Sequence, residues 1–285
     1  MKHIVGFSGG IDSQAVARWV LNRYPAADVI LMNSDAGGNE HPITTEFVEW
    51  YSHNVHPVVK VTPIVADLGD KCMAERDRRK LQDSDPMDFL LMAELKGIWP
   101  SRQKQFCTQY LKLEPQRRWI KENVTGKGES FVRYSGVRRE EGKKNNSWRA
   151  TVPIEGWDDM FGQPLMHPVA DWTKQMCFDY VRYHGEEVNE LYTLGFDRVG
   201  CAPCVNANKQ DVRNWVRRFP EMIDKVRSWE EKTGRTFFMP IVPGMKINWI
   251  DDVVRWSMTA WGGKRIDELA IIQPAACDSK YGLCE

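Results

Sequence analysis

The six residues Ser8–Ser13, SGGIDS, constrain this chain more than any other stretch, because of what stands on either side of them. Ile4 to Phe7 form a short apolar run, and beyond the loop Ala15, Val16, Trp19 and Val20 recur at helical spacing. A strand that feeds straight into a helix cannot return as a hairpin, so the next strand lies parallel to it through a crossover. The same unit then recurs. VILMN, from Val29 to Asn33, precedes SDAGGNEHP, and a helix is expected from Pro42, since proline suits a first helical turn. PVVKV, from Pro57 to Val61, is a third β-branched run. Alternation of this kind predicts an α/β fold, a doubly wound parallel sheet whose ligands sit at the carboxyl ends of its strands.

Further along, residues 71–124 read as mostly helical. SFVRYSG, from Ser130, reads as another strand, and MHPVADW around His167 as a strand end before a helix starting near Thr173. Beyond Gly195 the pattern changes to helices with frequent Trp and Arg, and the closing AACDSKYGLCE has no periodicity. The expected organisation is an α/β domain over residues 1–195 and a helical C-terminal region over 196–285 packed on it.

With 285 residues, 42% hydrophobic and 27% charged, the chain has the composition of a soluble globular protein. Thirty-nine Lys and Arg balance 39 Asp and Glu, so bulk charge implies no polyanionic partner. Charge at Lys2 and glycine at Gly6 leave no apolar leader or spanning segment, and the expected location is cytoplasmic, with no membrane partner. Seven cysteines, an odd number in such a chain, argue for metal or thiol chemistry over a disulfide framework.

A loop between strand and helix gathers unpaired backbone N–H groups at the positive end of the helix, and so binds anions. Gly9 and Gly10 allow close approach to a phosphate, and Ser8 and Ser13 bring hydroxyls. Asp12 suits a divalent metal that bridges phosphates, or a helix cap. The Gly-Lys-Ser/Thr ending of a Walker loop is absent, yet the placement still points to the phosphates of a nucleotide.

SGGIDS resembles the PP-loop of the adenine nucleotide alpha hydrolases, a superfamily that includes ATP pyrophosphatases and the phosphoadenosine phosphosulfate (PAPS) reductase family. Four further blocks resemble the same group. NSDAGGNEHPITTEFVEW matches its second-strand motif and puts Asp35 near the nucleotide, with Glu40 following. FCTQYLKLEP matches Cys-Thr-x-x-Leu-Lys-x-x-Pro. GVRREE, from Gly136, matches a Gly-x-Arg block whose arginine meets phosphate or sulfate. HPVADWTKQMCFDYV matches the Pro-x-x-x-Trp-Thr start of a helix. The resemblance implies Lys112 and Arg138, with Asp12, as catalytic residues, and Arg139 as a weaker candidate. It implies nucleotide binding by Ser8, Gly9, Gly10, Asp12, Ser13, Asp35 and Arg138, with ATP, PAPS or adenylyl sulfate (APS) as nucleotide and Mg2+ as its counter-ion. The block departs from the family where Glu140, Glu141 and Gly142 lead into KKNNSW instead of Glu-Ser.

Cys201 and Cys204 have the two-residue gap that lets two sulfurs share one metal. Cys107 stands where iron–sulfur relatives carry a ligand, and the tail supplies Cys284, with Cys277 as the alternative fourth ligand. Four thiolates suit a [4Fe–4S] cluster or zinc, and the iron–sulfur branch, similar to DNA phosphorothioation ATP pyrophosphatases and tRNA thiolases, favours the cluster. Cys72 and Cys177 read as buried thiols, and His167 as a satisfied histidine.

The first expected function is therefore an ATP pyrophosphatase that adenylates a substrate for sulfur transfer. Its resemblance implies a nucleic-acid acceptor and a sulfur donor such as a cysteine desulfurase. The alternatives are a sulfonucleotide reductase releasing sulfite and a nucleotide-binding regulatory protein without turnover. Against the reductase stand the tail Tyr281-Gly282-Leu283-Cys284-Glu285, where reductases end in Glu-Cys-Gly-Leu-His, and the single cysteine at Cys107-Thr108.

Overall fold

The computed structural model describes residues 1–101, 103–143, 148–238 and 249–259. Its first strand, β1 (Lys2–Gly6), is followed by helix α1 (Ile11–Leu21), then β2 (Val29–Ser34), α2 (Pro42–Asn54) and β3 (Val58–Val61). Helices α3 (Met73–Arg78), α4 (Phe89–Lys96), α5 (Phe106–Thr108) and α6 (Glu114–Asn123) come next, with a π-helical turn at Gln109–Leu113 between the last two. Then follow β4 (Phe131–Tyr134), α7 (Arg139–Lys143), β5 (Glu155–Asp158), β6 (Gln163–Met166) and α8 (Lys174–Tyr183).

The six strands form one sheet in the order β3-β2-β1-β4-β6-β5. All neighbours run parallel except β5, which pairs antiparallel with β6 at the edge. β1 is central, and both of its faces are covered: Val5 packs with Phe7, Val16, Leu31 and Val181 on one side, and Ile4 with Met32, Ile120 and Phe131 on the other. Burial on both faces is why β1 and β2 read as continuous apolar runs instead of alternating ones. Helices α1 and α8 pack together over the first face, while α6 lies against β2 and β3. The expected doubly wound α/β fold is therefore the observed one. β5 is the strand that the sequence did not announce. Its four residues are half out of contact with the core, so no hydrophobic run marks them.

Chain order reverses between β1 and β4, since β2 and β3 continue to one side and β6 and β5 to the other. Loops leaving those two strands diverge and open a crevice at their carboxyl ends, the usual ligand position in such a sheet.

The chain divides into two compact units. The first comprises Met1–Pro100 and Lys104–Ala202, and holds the sheet; the second comprises Ser101–Gln103 and Pro203–Glu285. In the second unit α9 (Lys209–Arg218), α10 (Glu221–Thr233) and α11 (Ile250–Ser257) pack on one another. Asn208 caps α9 with a reciprocal capping box to Asp211. The buried Glu230 carboxylate accepts the N–H groups of Phe237 and Ile250, both at 2.8 Å. Among the described residues, no helix is long and apolar enough to cross a membrane.

Candidate nucleotide site

A cavity of about 290 Å³ lies in the crevice between the ends of β1 and β4. Its walls include Ser8, Gly10, Asp12 and Ser13 from the first loop, Gly136 and Arg138 after β4, and Lys174 and Tyr192 from the segment that covers α1.

The first loop is held from within. Ser13 Oγ accepts the Ser8 N–H at 3.1 Å and donates to the Gly10 carbonyl at 2.8 Å. Gly9, at φ +72°, is in the left-handed region, and its carbonyl accepts the buried Asn189 amide at 3.3 Å. A Cβ at Gly9 would stand 3.0 Å from Thr44 Cγ2, so this glycine lies against α2 and does not line the cavity. Ile11 donates its N–H to Tyr192 Oη at 2.9 Å. Among the described residues the N–H groups of Gly9, Gly10, Asp12 and Ser13 make no hydrogen bond within the protein. Several unpaired donors at the start of an eleven-residue helix can receive an anion.

Arg138 reaches this loop from the neighbouring strand. Its side chain is 5% exposed, with Nε donating to Asp12 Oδ1 at 2.7 Å, Nη1 to Glu140 Oε2 at 2.5 Å and Nη2 to Glu141 Oε1 at 3.3 Å. Three carboxylates around one buried guanidinium fix its plane before any ligand arrives. Gly136 makes the approach sterically feasible, because a Cβ there would lie 2.8 Å from the Asp12 carbonyl carbon and 2.9 Å from Ser13 N. Burial pushes the Asp12 carboxyl above the ordinary aspartate range, against the pull of Arg138.

Of the residues expected from the sequence, Ser8, Gly10, Asp12, Ser13 and Arg138 thus meet at one cavity. Asp35 and Lys112 do not line it. Asp35 accepts the Gly37 N–H at 3.0 Å and shapes the turn that carries Glu40. Lys112 pairs with Glu40, Nζ to Oε1 at 2.8 Å, and Cys201 Sγ lies 3.4 Å from the same oxygen. Burial works to lower the Lys112 pKa, but Cys201 and Glu40 outweigh it and hold the ammonium above the ordinary lysine range. The π-helical turn that presents Lys112 is tied to β2, since Ser34 Oγ donates to the Lys112 carbonyl at 3.1 Å. Arg139 turns away from the cavity to the Val152 carbonyl and Asp171.

Cys177 is fully buried, as expected, whereas Cys72 is only partly so. His167 is buried, its Nδ1 3.0 Å from the Pro153 carbonyl. Cys204 Sγ accepts the Asn206 N–H at 3.4 Å. Cys277 and Cys284 lie outside the described residues. Among the described residues no three His, Cys, Asp or Glu side chains converge as a metal requires. The described cysteines therefore do not by themselves make a cluster site, and no chemical step below passes through one.

Tyr192, Lys174, Arg149 and Arg198 line the cavity without having been singled out from the sequence, and Glu140 and Glu141, read there only as a departure from the family block, hold Arg138. Lys174 did carry a signal, since it follows the Trp172-Thr173 helix start, and such starts face the crevice of a doubly wound sheet. Tyr192 carried none.

The family model for the phosphoadenosine phosphosulfate reductase domain matches residues 2–207, the cavity residues included. The chain belongs to the phosphoadenosine phosphosulfate reductase family. Within it, an adenosine 5'-phosphosulfate reductase from Streptomyces coelicolor is 40% identical over 200 residues, 69% of each chain. Another so named from Allochromatium vinosum is 31% identical over 139 residues, 47% of this chain and 50% of that one. An uncharacterized 37.8 kDa protein of Escherichia phage 186 is 30% identical across 99% of this chain and 96% of its own length. Among solved structures, a phosphoadenylyl-sulfate reductase from Candida auris in a phosphate complex aligns with 70% of this chain and 81% of its own, at TM-score 0.46 and 18% identity. This PAPS reductase-family protein is thus a nucleotide-binding enzyme by family.

Proposed function

We propose that this family member is an ATP pyrophosphatase that activates an acceptor for sulfur transfer. The observation that carries the reading is Asp12, a carboxylate in the anion site itself, at the first turn of α1 and facing the cavity. An anionic substrate alone would meet repulsion there, and a divalent cation, which Asp12 would hold, would offset it. A single carboxylate fits Mg2+, and when bound the ion would supply charge neutralisation to the leaving pyrophosphate.

An acceptor oxygen attacks the α-phosphorus, the new O–P bond forms, and the bond to the bridging oxygen of the β-phosphate breaks, so that pyrophosphate leaves and the acceptor oxygen's proton passes to solvent. Sulfide-level sulfur then attacks the adenylated carbon, the C–S bond forming as the C–O bond to AMP breaks; the persulfide of a donor such as a cysteine desulfurase would supply that sulfur once a dithiol reduces its S–S bond and ends as a disulfide. The protein's own part is to position the chain of phosphates with the loop amides and to offset charge with Arg138. A nucleic-acid acceptor and a cluster or zinc held by Cys107, Cys201, Cys204 and Cys284 or Cys277 belong to the same proposal.

A second reading, sulfonucleotide reduction, is favoured by the likeness to the adenosine 5'-phosphosulfate reductases of Streptomyces coelicolor and Allochromatium vinosum. There a thiolate attacks the sulfate sulfur, AMP leaves from APS or adenosine 3',5'-bisphosphate from PAPS, and a second thiol releases sulfite as a disulfide forms. One assay with ATP, APS and PAPS separates the readings. Pyrophosphate from ATP is expected. Sulfite from either sulfonucleotide without pyrophosphate overturns the pyrophosphatase in favour of the reductase, and binding without any product makes the protein a regulator.

A further inference from the structure

Arg138 and Lys174 both bring positive charge to the cavity, and they are held in different ways. All three nitrogens of the Arg138 guanidinium are engaged by carboxylates, on a side chain that is almost fully buried. Lys174 Nζ donates to the Asp197 backbone carbonyl at 2.7 Å, with the Asp197 carboxylate 3.9 Å away, and its side chain is 33% exposed. An ammonium resting on a neutral carbonyl near the cavity mouth can exchange that partner for a ligand oxygen without breaking a buried ion pair.

The base of Lys174 is nevertheless fixed. Its backbone N–H donates at 2.9 Å to Glu140 Oε2, the same oxygen that accepts Arg138 Nη1. Glu140 therefore sets the spacing between the guanidinium and the start of the lysine side chain. At the far end, Nζ lies 5.1 Å from the Tyr192 ring centre, and Tyr192 Oη is bonded to the first loop at Ile11. Lys174 thus spans from the Arg138 anchor toward the first loop, and it lines the same cavity as Gly10, Asp12 and Ser13. Burial holds its ammonium below the ordinary lysine range, opposed by Asp197 and Asp12.

Loop amides at one helix start suffice for one phosphate; a second oxyanion group in the same cavity needs a cation of its own. We propose that Lys174 is the substrate-binding residue for the group attached beyond the α-phosphate of the nucleotide, the pyrophosphate of ATP or the sulfate of APS. This rests on the nucleotide reading of the cavity and adds a residue that discriminates by what the α-phosphate carries.

The test is calorimetric titration of wild type, Lys174→Met, Lys174→Gln and Lys174→Arg with AMP, magnesium ATP and APS, with a melting curve for each protein. In the neutral variants, affinity for whichever of ATP or APS the wild type binds should fall about tenfold, the effect of losing one charge-assisted contact. AMP affinity should stay within about twofold and the arginine variant should recover most of the loss. Two neutral variants guard against one that folds poorly. Equal loss for AMP and the larger nucleotide, or no loss for any, overturns the role of Lys174 while leaving the cavity a nucleotide site. A wild type that binds none of the three overturns the nucleotide reading itself.

Discussion

Asp12 and Arg138 stand 126 residues apart in the chain and meet Oδ1 to Nε at 2.7 Å. The contact joins the loop after β1 to the loop after β4, the two strands between which chain order reverses. It gives the crevice a fixed floor in which a buried cation faces a carboxylate of raised pKa.

Asp12→Asn should separate function from stability. Turnover is expected to fall at least about a hundredfold, the scale of losing a fixed electrostatic partner of the reacting group. The Asp12 pKa is raised in the folded state, so the native protein keeps this proton to higher pH than the unfolded chain does. The contribution of the group to stability is therefore greatest in acid and declines as pH climbs through and above the ordinary carboxylate range near about 4. Asparagine has no charge to desolvate. The variant's melting temperature at neutral pH should equal or exceed that of wild type, and a lower one would show that Asp12 holds the fold.

Gly136→Ala places a methyl group against the backbone of Asp12 and Ser13, which has no flexible end to move aside. Overpacking of this kind costs about 1–3 kcal/mol. Chemical denaturation should report that loss, and nucleotide affinity should drop with it as the loop shifts. Unchanged affinity together with unchanged stability would mean that the two loops are not locked together.

Glu40 and Lys112 form a pair in which the carboxylate side is 4% exposed and the lysine 27%. Lys112→Met leaves Glu40 buried beside Cys201 without its cation. Between the limits for surface and buried pairs, the expected loss is about 1–3 kcal/mol in denaturant unfolding. Lys112→Met with Glu40→Gln should regain part of it, and a double variant as unstable as the sum of the singles would refute the coupling.

Protein purified without oxygen is expected to be brown and to contain about four iron atoms and matching sulfide per chain. Cys201→Ser and Cys204→Ser should each lower the iron content. Colourless protein that carries zinc would rule out the cluster and leave a zinc site on the same cysteines.

The C-terminal cysteines show where sequence reading stops, since Cys277 and Cys284 carry no periodicity that would place them. The strands fared otherwise: β1 and β2 were legible because burial on both faces forces an unbroken apolar run, β3 because its valines are β-branched, and α2 and α8 because Pro42 and Thr173 mark their starts. β5 was not, being short and half exposed. The loop Ser8–Ser13 was legible as an anion site because its chemistry is local: glycine, hydroxyl and helix start lie within six residues.

What the sequence determined by itself, then, was each strand-loop-helix unit and the chemistry carried on its loop, for these depend on neighbours a few residues away. Only the tertiary structure decided that Arg138 would lie on Asp12, that Ser13 would turn its hydroxyl inward to Gly10, that Lys112 would pair with Glu40 away from the cavity, and that Lys174 and Tyr192 would close the wall. Those meetings follow from the order of strands in the sheet, which is set by long-range pairing and packing that no window of sequence contains.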